Sequence, residues 1–157
     1  MSLSSAPVFA SSIIVLKNRN EIVIGTDSKR LHVTKEDLSD AQSELACKIV
    51  QADNIFVASA GIEGIVSYKQ RGQAQVVTDL TEIMKKAALG EGSFADKADA
   101  LSKTVRDALL RIGEWSRNKM PDFYEKMFRG KELLQVVMAG LENETPAIVV
   151  MAFESSI

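Results

Sequence analysis

At 157 residues and 46% hydrophobic content, the chain suits one domain with a substantial core. Nineteen basic against twenty-one acidic side chains, with no Lys/Arg cluster, argue against a nucleic-acid partner. A single cysteine, Cys47, and a single histidine, His32, exclude an internal disulfide framework and a Cys/His metal site by spacing, and the lack of any apolar run of about eighteen residues excludes a helical membrane span.

Residues 1–10 are small and polar and read as a leader or tag-like segment, with residues 11–157 as the domain. Val8-Phe9-Ala10 meets the small-residue rule for a signal-peptidase site immediately before Ser11, but the apolar core of a signal peptide is missing. Two explanations stand side by side: a longer leader trimmed away, or a chance match. The compartment stays open with them, cytoplasmic in one case and exported in the other.

Residues 12–16 and 22–26 are apolar runs around the polar turn Lys17-Asn18-Arg19-Asn20, which predicts a hairpin with Asp27 at the end of its second strand. Residues 31–46 are polar, without a long apolar period, and read as a loop. Cys47-Lys48-Ile49-Val50 opens a third strand, and residues 54–60 form a fourth that breaks at Gly61. All four strands are expected in one sheet.

Residues 61–89 read as a helix through Ile62, Ile65, Val66, Val76, Leu80 and Ile83, stopped by Gly90-Glu91-Gly92. Ser93 with Asp96 three residues on has the form of a capping box, and Phe94, Ala98, Leu101, Val105, Ala108, Ile112 and Trp115 then alternate steps of four and three toward Pro121. Runs at 133–139 and 147–153, separated by residues 140–146, predict a second hairpin. Strands, then two long helices, then strands exclude a βαβ series. The order points to an α+β fold, mostly antiparallel, with helices packed on a sheet.

The residues Ser11-Ser12-Ile13, Gly25-Thr26-Asp27-Ser28-Lys29, Lys48-Ile49 and Ala58-Ser59-Ala60-Gly61 resemble the proteasome-type branch of the N-terminal-nucleophile (Ntn) hydrolases, which includes proteasome β subunits and their bacterial relatives. In that family a Thr, or less often a Ser or Cys, begins the first strand, and an Asp and a Lys follow on later strands. Ser11 stands sixteen residues before Asp27, matching the family's spacing. The resemblance implies an αββα sandwich and covers the order of elements from Ser11 to Met151, with specific motifs in the first fifty residues of that span.

The chemistry that this likeness implies has a physical basis. A hydroxyl is a poor nucleophile until a base takes its proton, and a free α-amine, with a pKa of about 7.7 to 8.0, is a base suited to neutral pH. Ser11 supplies both groups if it is the first residue, whereas in the chain as written Ala10 precedes it. By resemblance Lys48 lies beside the nucleophile and lowers the pKa of its hydroxyl and of the neighbouring amine, Asp27 holds that lysine, Gly61 presents a backbone N–H to a developing oxyanion, and Ser59 lines the pocket for the substrate side chain.

Each residue also has a plainer reading: Ser11 as the start of an edge strand, Asp27 and Lys48 as a structural ion pair, Gly61 as a turn glycine and Ser59 as a serine on a polar strand face. Cys47 next to Lys48 reads as a buried, inert thiol more readily than as an activated one, and His32 as an exposed loop residue. Two departures from the family count against catalysis. Arg30-Leu31 stands where the family places small residues, and the family's later helices and strands, which supply a Ser and an Asp supporting the nucleophile, have no counterpart. A fragment, a minimal relative and a non-catalytic descendant all fit that pattern.

The expectation is therefore a peptide or small-amide hydrolase using Ser11, with no metal or organic cofactor. The alternatives are a catalytically inactive scaffold or ring subunit of the same fold, or an unrelated α+β binding domain. Apolar residues at successive positions in the first two strands call for cover on both faces, which predicts a homo-oligomer or a chain that needs further elements.

Overall fold

The computed structural model describes residues 12–27, 29–32, 42–45, 47–68 and 74–155. Strands β1 (Ile13–Lys17) and β2 (Ile22–Thr26) pair antiparallel, Ile13 opposite Thr26 and Lys17 opposite Ile22. Asn18 closes the turn between them, its Oδ1 accepting from the backbone N–H groups of Asn20 and Glu21 at 2.7 and 2.9 Å. Ile13, Val15, Ile22 and Ile24 are half-buried on one face of this ribbon, and Ile14, Leu16 and Val23 lie open on the other.

Where polarity predicts a loop over residues 31–46, the chain instead pairs β3 (Lys29–His32) with β4 (Gln42–Leu45). Antiparallel pairing is made by backbone groups and does not need an apolar face, so a polar ribbon leaves no period to read.

Strands β5 (Ile49–Ala52) and β6 (Ile55–Gly61) turn through Asp53 and join two later strands, β9 (Glu132–Glu142) and β10 (Thr145–Glu154), in the order β10-β9-β6-β5, antiparallel throughout. The β1–β2 ribbon approaches β6 but is a separate sheet, contrary to the expectation of one sheet for the first four strands. Both edges of β6 are occupied, by β5 and β9, so the ribbon packs beside the sheet rather than adding to it. The predicted seven-residue connection between β9 and β10 shrinks to Asn143 and Glu144, both in the left-handed region (φ 50° and 63°), as a two-residue hairpin turn requires.

The first of the two predicted long helices is mostly absent. Within it the chain forms β7 (Gly64–Tyr68) and β8 (Ala74–Asp79), and α1 covers only Leu80–Ala88. The register shifts opposite the Ile65–Val66 step and leaves Val77 as the extra residue on β8, so Val76 and Val77 stand side by side without the period of two that marks a strand. Asp79 ends β8 and caps α1, accepting from the N–H groups of Thr81 and Glu82.

Helix α2 (Phe94–Lys119) follows its pattern. Phe94, Ala98, Leu101, Val105, Ala108 and Ile112 are buried, and Trp115 packs against their cluster. These side chains, with Leu80 and Met84 of α1, cover the face of the sheet that carries Ile55, Val57, Val136 and Met138. Pro121 does not simply end α2; it opens a short helix, α3 (Pro121–Met127), at the position where a missing N–H costs nothing. Ser116 is fully buried among these elements, and its hydroxyl has no hydrogen-bond partner among the described residues.

The Ser93–Asp96 capping box is present in both directions: Ser93 N–H donates to Asp96 Oδ2 at 2.9 Å and Asp96 N–H to Ser93 Oγ at 3.2 Å. The Ser93 hydroxyl, followed by its backbone N–H, holds the Asp96 carboxyl below its ordinary 3.8. A depressed carboxyl contributes stability in full above its unfolded value and loses it as pH falls through the folded one. Asp96→Asn is therefore expected to lower the melting temperature at neutral pH, with the gap to wild type closing as pH falls below 3.8; paired thermal melts across acid pH test this.

The described residues thus form an α+β fold of antiparallel sheets and three helices. Among them, no helix is long and apolar enough to cross a membrane.

Candidate functional site

Asp27 follows the last residue of β2 and so lies at the mouth of the ribbon, beside the start of β1. It is tied there at both ends: its backbone N–H donates to Ser12 C=O at 3.3 Å, and its Oδ2 accepts from Ser12 N–H at 3.2 Å. Its other oxygen, Oδ1, takes a hydrogen bond from Lys48 Nζ at 2.6 Å. One carboxylate thus bridges Ser12, the residue before β1, and the lysine that precedes β5.

Lys48 is held through its backbone carbonyl as well as its side chain. It directly precedes β5, and its C=O accepts from Ser59 N–H at 3.1 Å, extending the β5–β6 ladder by one rung. Its side chain is 3% exposed and that of Asp27 28%, so the ammonium is buried and the carboxylate half-open. A charge-assisted bond of this length fixes the lysine's position, and a cation taken out of water acts on its neighbours with less screening than a surface one.

Gly61 ends β6 with φ +126°, a conformation that L side chains rarely adopt. An added Cβ would lie 2.3 Å from the Leu133 carbonyl oxygen and 2.9 Å from Leu134 Cα. The glycine is thus required by β9, which also takes Ile62 N–H on the Leu133 oxygen at 2.8 Å. The ladder fixes the direction of its own N–H. Ser59 N–H points toward β5, and alternation turns the Gly61 N–H to the same side, one rung past Lys48.

Ser59 is buried, 2% exposed, and alternates with Ile55 and Val57 on the helix-covered face; it is not on a polar face. Cys47 is exposed, against the expectation of a buried thiol, and its Sγ contacts the Ile49 carbonyl oxygen at 3.2 Å. His32 belongs to β3 and not to a loop. Ser11 and Ser28 lie outside the described residues.

The structure therefore gathers Asp27, Lys48 and Ser12 by direct contact and sets Ser59 and Gly61 on the neighbouring strand. Sequence reasoning passed over Ser12, because its part is played by its backbone N–H and C=O, which leave no mark on residue type. It also passed over Leu133, whose carbonyl dictates the glycine. Among the described residues, no group of three His, Cys, Asp or Glu side chains is placed to hold a metal. Comparisons with protein-family models, with curated proteins and with solved structures find no match to this chain.

Proposed function

We propose that the chain is an amidohydrolase of the N-terminal-nucleophile type, a proteasome-like αββα sandwich that cleaves peptide or small amide bonds through an acyl-enzyme on Ser11. The observation that supports this most is the Asp27 bridge. The carboxylate that fixes a buried ammonium also binds the backbone nitrogen of Ser12, the atom through which Ser11 is bonded to the chain.

Hydrolysis of the Ala10–Ser11 bond frees the α-amine of Ser11. That amine takes the Ser11 hydroxyl proton as Oγ adds to the substrate carbonyl carbon, and the C=O electron pair moves to oxygen, where the Gly61 N–H stabilises it. Collapse expels the substrate amine, which receives the proton, and leaves an ester on Ser11. Water then attacks the ester by the same route and releases the acid. Lys48 supplies a fixed positive charge that favours the deprotonated hydroxyl and the neutral amine, and Asp27 keeps it in place. In this reading Ser59 is the small side chain that lines the wall beside this centre, on the substrate's side-chain subsite.

A second reading is an inactive scaffold or ring subunit, in which the ion pair only pins the ribbon to β5. The exposure of Ile14 (64%), Leu16 (63%) and Val23 (54%) favours it, since such a face suits an assembly. Intact mass and N-terminal sequencing of natively produced protein separate the two readings. A chain beginning at Ser11 that releases a fluorophore from peptide amides, and loses this in Ser11→Ala, is the expected result. Retention of residues 1–10 on a protein inert toward such substrates supports the scaffold.

A further inference from the structure

Strand β10 is an edge. It has β9 on one side, and among the described residues no strand pairs with the other. The two-residue turn makes Glu142 and Thr145 the first bonded pair of the β9–β10 hairpin. Counting from there, the backbone groups of Ala147, Val149 and Met151 turn toward β9, and those of Ile148, Val150 and Ala152 turn outward.

Soluble proteins guard such an edge with charges, prolines or bulges. Residues 147–153 carry none of these: the stretch is Ala-Ile-Val-Val-Met-Ala-Phe, and its register is regular up to the shift between Phe153 and Glu154. The proline and the charge stand at its two ends, Pro146 and Glu154. At its centre Val150 is 67% exposed.

We infer that β10 is a self-association seam, at which a second copy of this chain pairs antiparallel with Val150 opposite Val150 of the partner subunit, joining two four-stranded sheets into one of eight. The occupant follows from what a copy centred on residue 150 places opposite each position: residues 147–153 are apolar throughout, so every pair within that stretch is apolar in both chains. In this register Ile148 faces Ala152 of the partner subunit and the reverse, so each outward N–H of these three residues meets an outward C=O. Pro146, which has no N–H to give, falls opposite Glu154 of the partner subunit, at the margin where water serves instead. The two Glu154 carboxylates end up at opposite ends of the seam, so no like charges oppose one another. On the sheet face away from the helices, the row Ala58, Val137, Val150 continues into the same row of the second copy. An arbitrary strand would match the backbone groups but would not set an apolar side chain opposite every one of residues 147–153 while keeping the two Glu154 charges apart. The seam does not rest on the hydrolase reading; it gives the expected homo-oligomer a surface and a register.

Sedimentation velocity on the full chain tests it, with far-UV circular dichroism as the check on folding. The wild type is expected to sediment as a dimer or a larger even assembly at micromolar concentration. Val150→Pro should abolish the association, because the N–H it removes points away from β9 and the hairpin keeps its own bonds. Val150→Lys should abolish it by placing two ammonium groups face to face. Oxidative cross-linking in a Cys47→Ser background fixes the register and decides the matter should Val150→Pro unfold. Val150→Cys should cross-link readily, whereas Ala152→Cys should not, its two copies being four residues out of register, about 13 Å apart. A folded wild-type monomer, an assembly that survives both Val150 substitutions in folded form, or cross-linking through residue 152 as efficient as through 150 would overturn the inference.

Discussion

Lys48→Met is expected to leave a folded protein whose amide hydrolysis has fallen by roughly 10²- to 10³-fold, the usual consequence of deleting a preorganised charge from a water-poor site. Methionine follows the path of the buried aliphatic stem, so packing around residue 48 is kept. The carboxylate left behind is the half-open member of the pair, 28% exposed against 3% for the lysine side chain, and it keeps the Ser12 N–H. Breaking a fully buried pair costs about 3 to 5 kcal/mol, but with Asp27 reached by water the cost here should be about 1 to 2 kcal/mol. Thermal melts alongside steady-state kinetics separate the two effects. Turnover that drops a hundredfold in a protein that melts only a few degrees lower is the mark of a catalytic lysine; turnover unchanged in the same folded variant would reduce the pair to a structural pin.

The largest loss of stability is expected from Gly61→Ala. The added methyl group meets a backbone oxygen at 2.3 Å, and backbone cannot rotate aside as a side chain tip can. The φ of +126° adds its own penalty. Strain and overpacking of about 1 to 3 kcal/mol each place the total at roughly 2 to 6 kcal/mol, a large part of the 5 to 15 kcal/mol that holds a typical domain together. Chemical denaturation should show this as a large fall in the midpoint. Gly25 makes the natural control, since its position has no atom within 4 Å of an added Cβ, and Gly25→Ala should leave the midpoint nearly unmoved.

What could be read in the sequence was what depends on near neighbours. The Ser93–Asp96 box involves two side chains three residues apart, and the stripe from Phe94 to Ile112 repeats for long enough to outlast local noise. The first hairpin declared itself by two β-branched runs and an Asn-rich turn. Asp27 and Lys48 could be placed at strand ends, and they meet across twenty-one residues of sequence. The failures have the opposite character. Strands β3 and β4 pair without an apolar period in their sequence, and β8 loses its alternation where Val77 is the extra residue of a register shift. Gly61 showed as a break in a strand, but the carbonyl that demands it belongs to Leu133, far along the chain. Ser59 shows a further limit: a serine amid Ala and Val could have faced water or core, and only the pairing of β6 with β9 turned it inward.

Trapping the acyl-enzyme tests the hydrolase reading most directly. A chain that begins at Ser11 is incubated with an activated ester or a β-lactone, digested, and the adduct located by tandem mass spectrometry. The hydrolase reading predicts a mass increment on Ser11 that disappears in Ser11→Ala and forms much more slowly in Lys48→Met. An increment confined to the exposed Cys47 thiol, or no increment on a folded chain with a free Ser11 amine, would contradict it.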